Sequence, residues 1–171
     1  MSPAELARMM DLSAVRTDVD LDEIRRLAEL CKQYKCICAF AMPCYLPELV
    51  RLLADTPEVG AGGVVGFPSG ATSTATKVAE AREQIEQGAA ELDMVINVGL
   101  LRSGSEAAVE DDIRAVVDAA RPKPVKVILE VHYLTDEQII RGSQTAVRAG
   151  AAFVKTGTVG PRRGPRCITY N

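Results

Sequence analysis

Gly88-Ala-Ala-Glu-Leu-Asp93 and Gly150-Ala-Ala-Phe-Val-Lys155 share one layout: a glycine, two alanines, two strand residues and a charge. Each glycine follows an amphipathic stretch and precedes an apolar run. That is the pattern of a helix stopped by a residue free to adopt positive φ, with a strand entered at once. Used twice, it predicts repeated helix-to-strand units. Outward from these two copies the alternation continues, with strands predicted at Met9–Ser13, Cys36–Ala41, Gly62–Phe67, Glu91–Val98, Val125–His132 and Ala152–Thr156. Helices are predicted to start at the Asp20-x-x-Glu23 box, at Pro47, after Pro68-Ser-Gly-Ala-Thr72, at Ser105 and at the Thr135-x-x-Gln138 box. Short strands separated by helices require right-handed crossovers and a parallel sheet. This is the α/β plan of a (β/α)8 barrel, with about six of its eight strands legible.

The 171 residues predict a single domain, short for a barrel that typically takes about 250 residues. With 47% hydrophobic and 25% charged residues, collagen-like, disordered and coiled-coil classes are excluded. Twenty Lys and Arg stand against 23 Asp and Glu without a basic block, so a nucleic-acid partner is not expected. No apolar run approaches the roughly 20 residues that span a bilayer, and residues 1–16 lack a signal-peptide layout. A cytoplasmic protein with no membrane partner is the expectation. The five cysteines, Cys31, Cys36, Cys38, Cys44 and Cys167, are an odd number and contain no C-x-x-C, and His132 is the only histidine. They read as small buried hydrophobes, with no metal site.

Buried parallel strands should be continuously apolar. Here Asp93, Lys126 and Lys155 interrupt them. A single such charge reads as outward-facing or as an inert ion pair. Three on neighbouring strands read as one polar site inside the fold, because an unpaired buried charge costs several kcal/mol. Alternate barrel strands contribute to the same interior layer, which predicts Asp93 and Lys155 at one depth. A lysine beside an aspartate, with a second lysine near, is an arrangement for Schiff-base chemistry. Desolvation and cationic neighbours favour the neutral amine that attacks an aldehyde or ketone, and the carboxylate moves protons.

From Met9 to Thr158 the chain resembles the deoxyribose-phosphate aldolases, the DeoC-type class I Schiff-base family. The resemblance is carried by Met10-Asp-Leu-Ser13, Val64-Val-Gly-Phe-Pro-Ser-Gly-Ala71, Glu91-Leu-Asp-Met-Val-Ile-Asn97, Val125-Lys-Val-Ile-Leu-Glu130 and Phe153-Val-Lys-Thr-Gly-Thr158. It implies a TIM barrel that reversibly cleaves 2-deoxyribose 5-phosphate to acetaldehyde and glyceraldehyde 3-phosphate. By the same resemblance, Lys155 is the Schiff-base nucleophile and Asp93 belongs to the proton relay. Lys126 and Asp11 are supporting charges, Thr158 is a substrate-contacting hydroxyl, and Ser13 stands where the family often has threonine. No metal or organic cofactor is implied.

After Thr158 the family pattern gives way to Val-Gly-Pro-Arg-Arg-Gly-Pro-Arg166. The expectation is an incomplete barrel over residues 1–158 and an irregular tail over 159–171, without the family's Lys-x-x-Gly-Gly strand or its last strand. Opened strand edges predict weak stability, or association with another copy or another chain. The alternative function is a non-catalytic remnant that binds such a partner. Among smaller features, His132 reads as a rim residue or a general base. Gly66-Phe-Pro-Ser-Gly70 reads as an anion cradle or a tight turn, and Arg162, Arg163 and Arg166 as a solvated tail or a phosphate contact.

Overall fold

A computed structural model describes residues 2–158. The expected tail, with its three arginines and Cys167, lies outside these residues. Contacts divide the chain into two units, residues 2–64 with 83–91 and residues 65–82 with 92–158.

In the first unit a short helix α1 (Pro3–Ala7) leads into β1 (Asp11–Ala14), α2 (Leu21–Tyr34), β2 (Cys38–Ala41), α3 (Leu46–Leu53) and β3 (Gly60–Val65). The strands pair in parallel, with Asp11 level with Cys38 and Gly60, and Ser13 level with Phe40 and Gly62. Asp20 caps α2 by accepting from the Glu23 amide at 2.9 Å. Ile24, Leu27, Ala28 and Cys31 form its buried stripe, against Leu46, Leu49 and Leu53 among the core residues of this unit. The helix ends with Lys35 in the left-handed region and the Cys36 amide donating to the Cys31 carbonyl at 3.1 Å. Such a turn brings the side chains at its two ends together.

Cys31, Cys36 and Cys38 are buried, as read from the sequence, whereas Cys44 is exposed. Burial pushes the Cys31 thiol up from 9.0 to about 12, with Cys36 and Asp11 adding to the shift. Folding therefore favours the protonated thiol. Its contribution to stability is present below 9.0 and fades as pH rises from there through about 12. Iodoacetamide at mildly alkaline pH should label Cys44 in the folded protein and Cys31 only on unfolding, as peptide mapping would read. The Phe40 ring lies over Gly62, where an added Cβ would sit 2.4 Å from a ring carbon. Gly62→Ala should cost about 1–3 kcal/mol by forcing the ring aside, measured by urea denaturation.

The second unit contains most of α4 (Thr74–Glu86), β4 (Glu91–Val95), α5 (Val98–Arg102), α6 (Glu106–Ala120), β5 (Val125–Ile128), α7 (Asp136–Arg148) and β6 (Phe153–Lys155). Asp93 is level with Lys126 and Phe153, and Val95 with Ile128 and Lys155, all in parallel register. Val109, Ile113 and Val116 of α6 are fully buried. Lys77 on α4 is also fully buried. Its Nζ donates to Asp112 Oδ2 at 2.6 Å and to the Val95 carbonyl at 3.1 Å, while Thr74 Oγ1 donates to Asp112 Oδ1 at 2.7 Å. Among the described residues no helix is long and apolar enough to cross a membrane.

The two Gly-Ala-Ala turns are alike in detail. Gly88 has φ +101 and Gly150 φ +91, and the amides of Ala89 and Ala151 donate to the Gln84 and Ala146 carbonyls at 2.9 and 3.0 Å. Strand ends differ from expectation. β3 stops before Gly66, at φ +64; β4 stops where the Asn97 side chain accepts from the Leu100 amide and starts α5; β5 stops before Glu130, at φ 56. Helices α1 and α5 were not expected. The first is built on a Ser2–Glu5 capping box with Pro3 at its start, a readable signal. Register also relates the two charged strand residues. Asp93 is level with Phe153, so Lys155 lies two residues further along its strand. A (β/α)8 barrel staggers its strands by about one residue each, so a two-residue offset over two strands is that of a single interior layer.

Candidate active site

The register of β4, β5 and β6 sets the site. In parallel strands residues level with one another, and those two apart along a strand, share a face. Asp93, Lys126 and Lys155 therefore project from one face of this unit. Val95 and Ile128, on the same face, are buried beside them. The Lys155 Nζ donates to Asp93 Oδ2 at 2.6 Å. Asp93 is nearly inaccessible, with 2% of its side chain exposed, whereas Lys155 keeps 29%. The carboxylate is thus held inside while the amine remains reachable. An amine so placed can meet a carbonyl carbon, and the adjacent carboxylate can take or return the proton.

Lys126 takes a different contact: its Nζ lies 5.6 Å from the centroid of the Phe153 ring, which is half-exposed. Asp11 and Ser13 stand two residues apart on β1, in the first unit, level with Cys38 and Phe40. Thr158 follows β6 by three residues and is held by Glu130. Its amide donates to Glu130 Oε2 at 3.0 Å and its hydroxyl donates to the same oxygen. The other Glu130 oxygen lies 2.9 Å from His132 Nδ1. His132 is half-exposed, its ring centroid 3.9 Å from that of Tyr133 with the planes tilted by 43°, as at a rim. Sequence reading passed over Glu130; its signal is a carboxylate at the exit of a buried strand.

Gly66-Phe-Pro-Ser-Gly70 uses its own amides. Gly66 N–H donates to Glu80 Oε2 at 2.7 Å, Gly70 N–H to the Gly66 carbonyl at 2.7 Å, and Ala71 N–H to Ser69 Oγ at 3.3 Å. The tight-turn reading therefore holds, and these donors are not turned toward an anion. An added Cβ at Gly70 would meet the Ile96 carbonyl oxygen at 1.8 Å, so only glycine lets this loop lie against the end of β4. Among the described residues no group of three or more His, Cys, Asp or Glu is placed to hold a metal ion.

Residues 6–164 match the family model described as DeoC/LacD family aldolase. The chain belongs to the DeoC/LacD aldolase family. The deoxyribose-phosphate aldolase of Sinorhizobium medicae is 48% identical over 158 residues, which are 92% of this chain and 64% of that one. That of Klebsiella pneumoniae is 47% identical over 154 residues, 89% and 62% of the two chains. The chain thus spans just under two thirds of the length of these relatives. The solved deoxyribose phosphate aldolase of Aeropyrum pernix, described as tetrameric, is 30% identical with a TM-score of 0.84, over 91% of this chain and 65% of that one. A Coccidioides immitis structure of the same fold, 36% identical, gives a TM-score of 0.90 over 96% of this chain and 64% of its own. The six strands are those of the family's (β/α)8 TIM barrel.

Proposed function

We propose that the chain acts as a class I aldolase on 2-deoxyribose 5-phosphate, with Lys155 as the nucleophile. The observation that carries the reading is the Lys155–Asp93 pair, a reachable amine held at 2.6 Å by an inaccessible carboxylate on neighbouring strands of an aldolase-family chain. Lys155 Nζ attacks the C1 aldehyde carbon, and the carbinolamine loses water to give a protonated imine. The substrate's C3 hydroxyl then gives up its proton, C2–C3 breaks, and that bond's electron pair moves into the imine to form an enamine. Glyceraldehyde 3-phosphate departs. Protonation of the enamine carbon and hydrolysis release acetaldehyde and restore the amine. Asp93 carries these protons, directly or through water. The imine nitrogen is itself the electron sink, so the chemistry calls on no metal or organic cofactor.

Lys126 and Asp11 are proposed as supporting charges, and Ser13 and Thr158 as substrate-binding hydroxyls. Acetaldehyde and borohydride should leave one ethyl group on Lys155, read by peptide mass mapping. An ethyl group on another lysine, or no adduct, would overturn the reading. Self-association belongs to the same proposal, supported by the tetrameric state of the Aeropyrum pernix relative. Light scattering should give a multiple of the 18.3 kDa chain mass, and a stable monomer would count against it.

A further inference from the structure

Glu130 is held on several sides, next to the proposed nucleophile's loop. It is a non-glycine residue in the left-handed region, at φ 56 and ψ 58, and only 5% of it is exposed. Backbone strain of this kind persists where surrounding contacts hold it. Here the contacts are explicit. The Val131 amide donates to the Thr156 carbonyl at 2.8 Å, tying the exit of β5 to that of β6. The turn of the chain at Glu130 sends its carboxylate under the loop that follows Lys155, where Thr158 gives it both an amide and a hydroxyl hydrogen. At Gly157 an added Cβ would stand 3.0 Å from Glu130 Oε1, so the loop leaves room for the carboxylate.

The polarity of this clasp has a consequence for recognition. A threonine hydroxyl has one hydrogen to donate and two lone pairs. Once Glu130 Oε2 has taken that hydrogen, the Thr158 oxygen meets anything else only as an acceptor. We infer that Glu130 is a positioning residue that fixes the polarity of Thr158, making its oxygen a reader of ligand hydroxyl groups and not of carbonyl or phosphate oxygens. The inference rests on the aldolase reading above, in which Thr158 faces the substrate.

The test compares two aldehyde acceptors in aldol addition with acetaldehyde: glyceraldehyde 3-phosphate, and 3-oxopropyl phosphate, which lacks the hydroxyl. Glu130→Met removes the acceptor and frees the Thr158 hydroxyl to donate. The preference in kcat/KM for the hydroxyl-bearing acceptor should fall about tenfold, the worth of one such hydrogen bond. Glu130→Gln, whose amide oxygen can remain on Thr158, should restore it. Thr158→Val should lose the same preference, and the Glu130→Met/Thr158→Val double variant should lose no more. A parallel fall for both acceptors means that Glu130 only holds the fold together, and overturns the inference. So does an unchanged ratio. A second measurement needs no turnover. The Thr158 hydroxyl proton should give a slowly exchanging NMR resonance in the wild type and in Glu130→Gln, lost in Glu130→Met. Its absence from the wild type overturns the inference too. Absence of an acetaldehyde adduct on wild-type Lys155 would instead defeat the aldolase reading, and the NMR result would still decide whether the clasp exists.

Discussion

Lys155→Met should abolish the borohydride-trapped adduct and lower turnover on the order of 10⁶-fold, the scale seen when a covalent nucleophile is deleted. That corresponds to about 8 kcal/mol of lost transition-state stabilisation. Methionine keeps a long apolar stem but withdraws a cation from the buried Asp93 carboxylate, so a urea midpoint taken on the same variant separates lost chemistry from lost fold. Asp93→Asn separates the two partners of the pair. It keeps the shape and removes the negative charge, so proton transfer should slow by roughly 10²–10⁴-fold. Trapping on Lys155 should survive, more slowly. The pair therefore predicts an asymmetry: one variant has no adduct, the other has an adduct and little turnover. Equal loss of adduct in both would mean that Asp93 serves to place the lysine. Full turnover in Lys155→Met would remove the mechanism altogether.

Lys77→Met should reduce stability by about 3–5 kcal/mol, the cost of leaving a buried charge without its partner. The partner is Asp112, with 5% of its side chain exposed, and the Val95 carbonyl loses the lysine as a donor as well. Against the roughly 5–15 kcal/mol by which domains are usually stable, such a change brings the protein close to unfolding. Replacing both partners, as Lys77→Met with Asp112→Leu, should recover most of the loss, because two apolar groups leave no uncompensated charge. Urea midpoints for the wild type, both single variants and the double variant give the answer. A single variant with an unmoved midpoint would show that water reaches the pair.

The Gly-Ala-Ala repeat was readable because the information is local: a left-handed glycine and five residues around it define the turn. The three strand charges were readable because they violate a local rule about buried strands. The side-chain contact was not. That Lys155 Nζ meets Asp93 Oδ2 depends on how whole strands are staggered, and no window around either residue contains it. Lys77 is a starker case. In the sequence it is a lysine on a helix, which ordinarily faces water. Its burial is decided by Asp112, 35 residues away. Nothing local marks Glu130, since its meaning lies in a backbone turn and in Thr158, 28 residues on. Both residues belong to helix or strand ends whose partners come from distant segments.

The register that sets Lys155 against Asp93 also governs which changes of chain length the protein can survive. Side chains along a strand alternate in direction, so an insertion of one residue between Gly150 and Ala152 that left the ladder intact would bring Val154 level with Ile128 and turn Lys155 to the opposite face. Loops that set neither a strand of the site nor a tight packing contact can drift in length with little penalty. This connection, like its counterpart at Gly88, cannot. Natural variants of the chain should tolerate almost any substitution at Ala151 before they tolerate a single added or missing codon there.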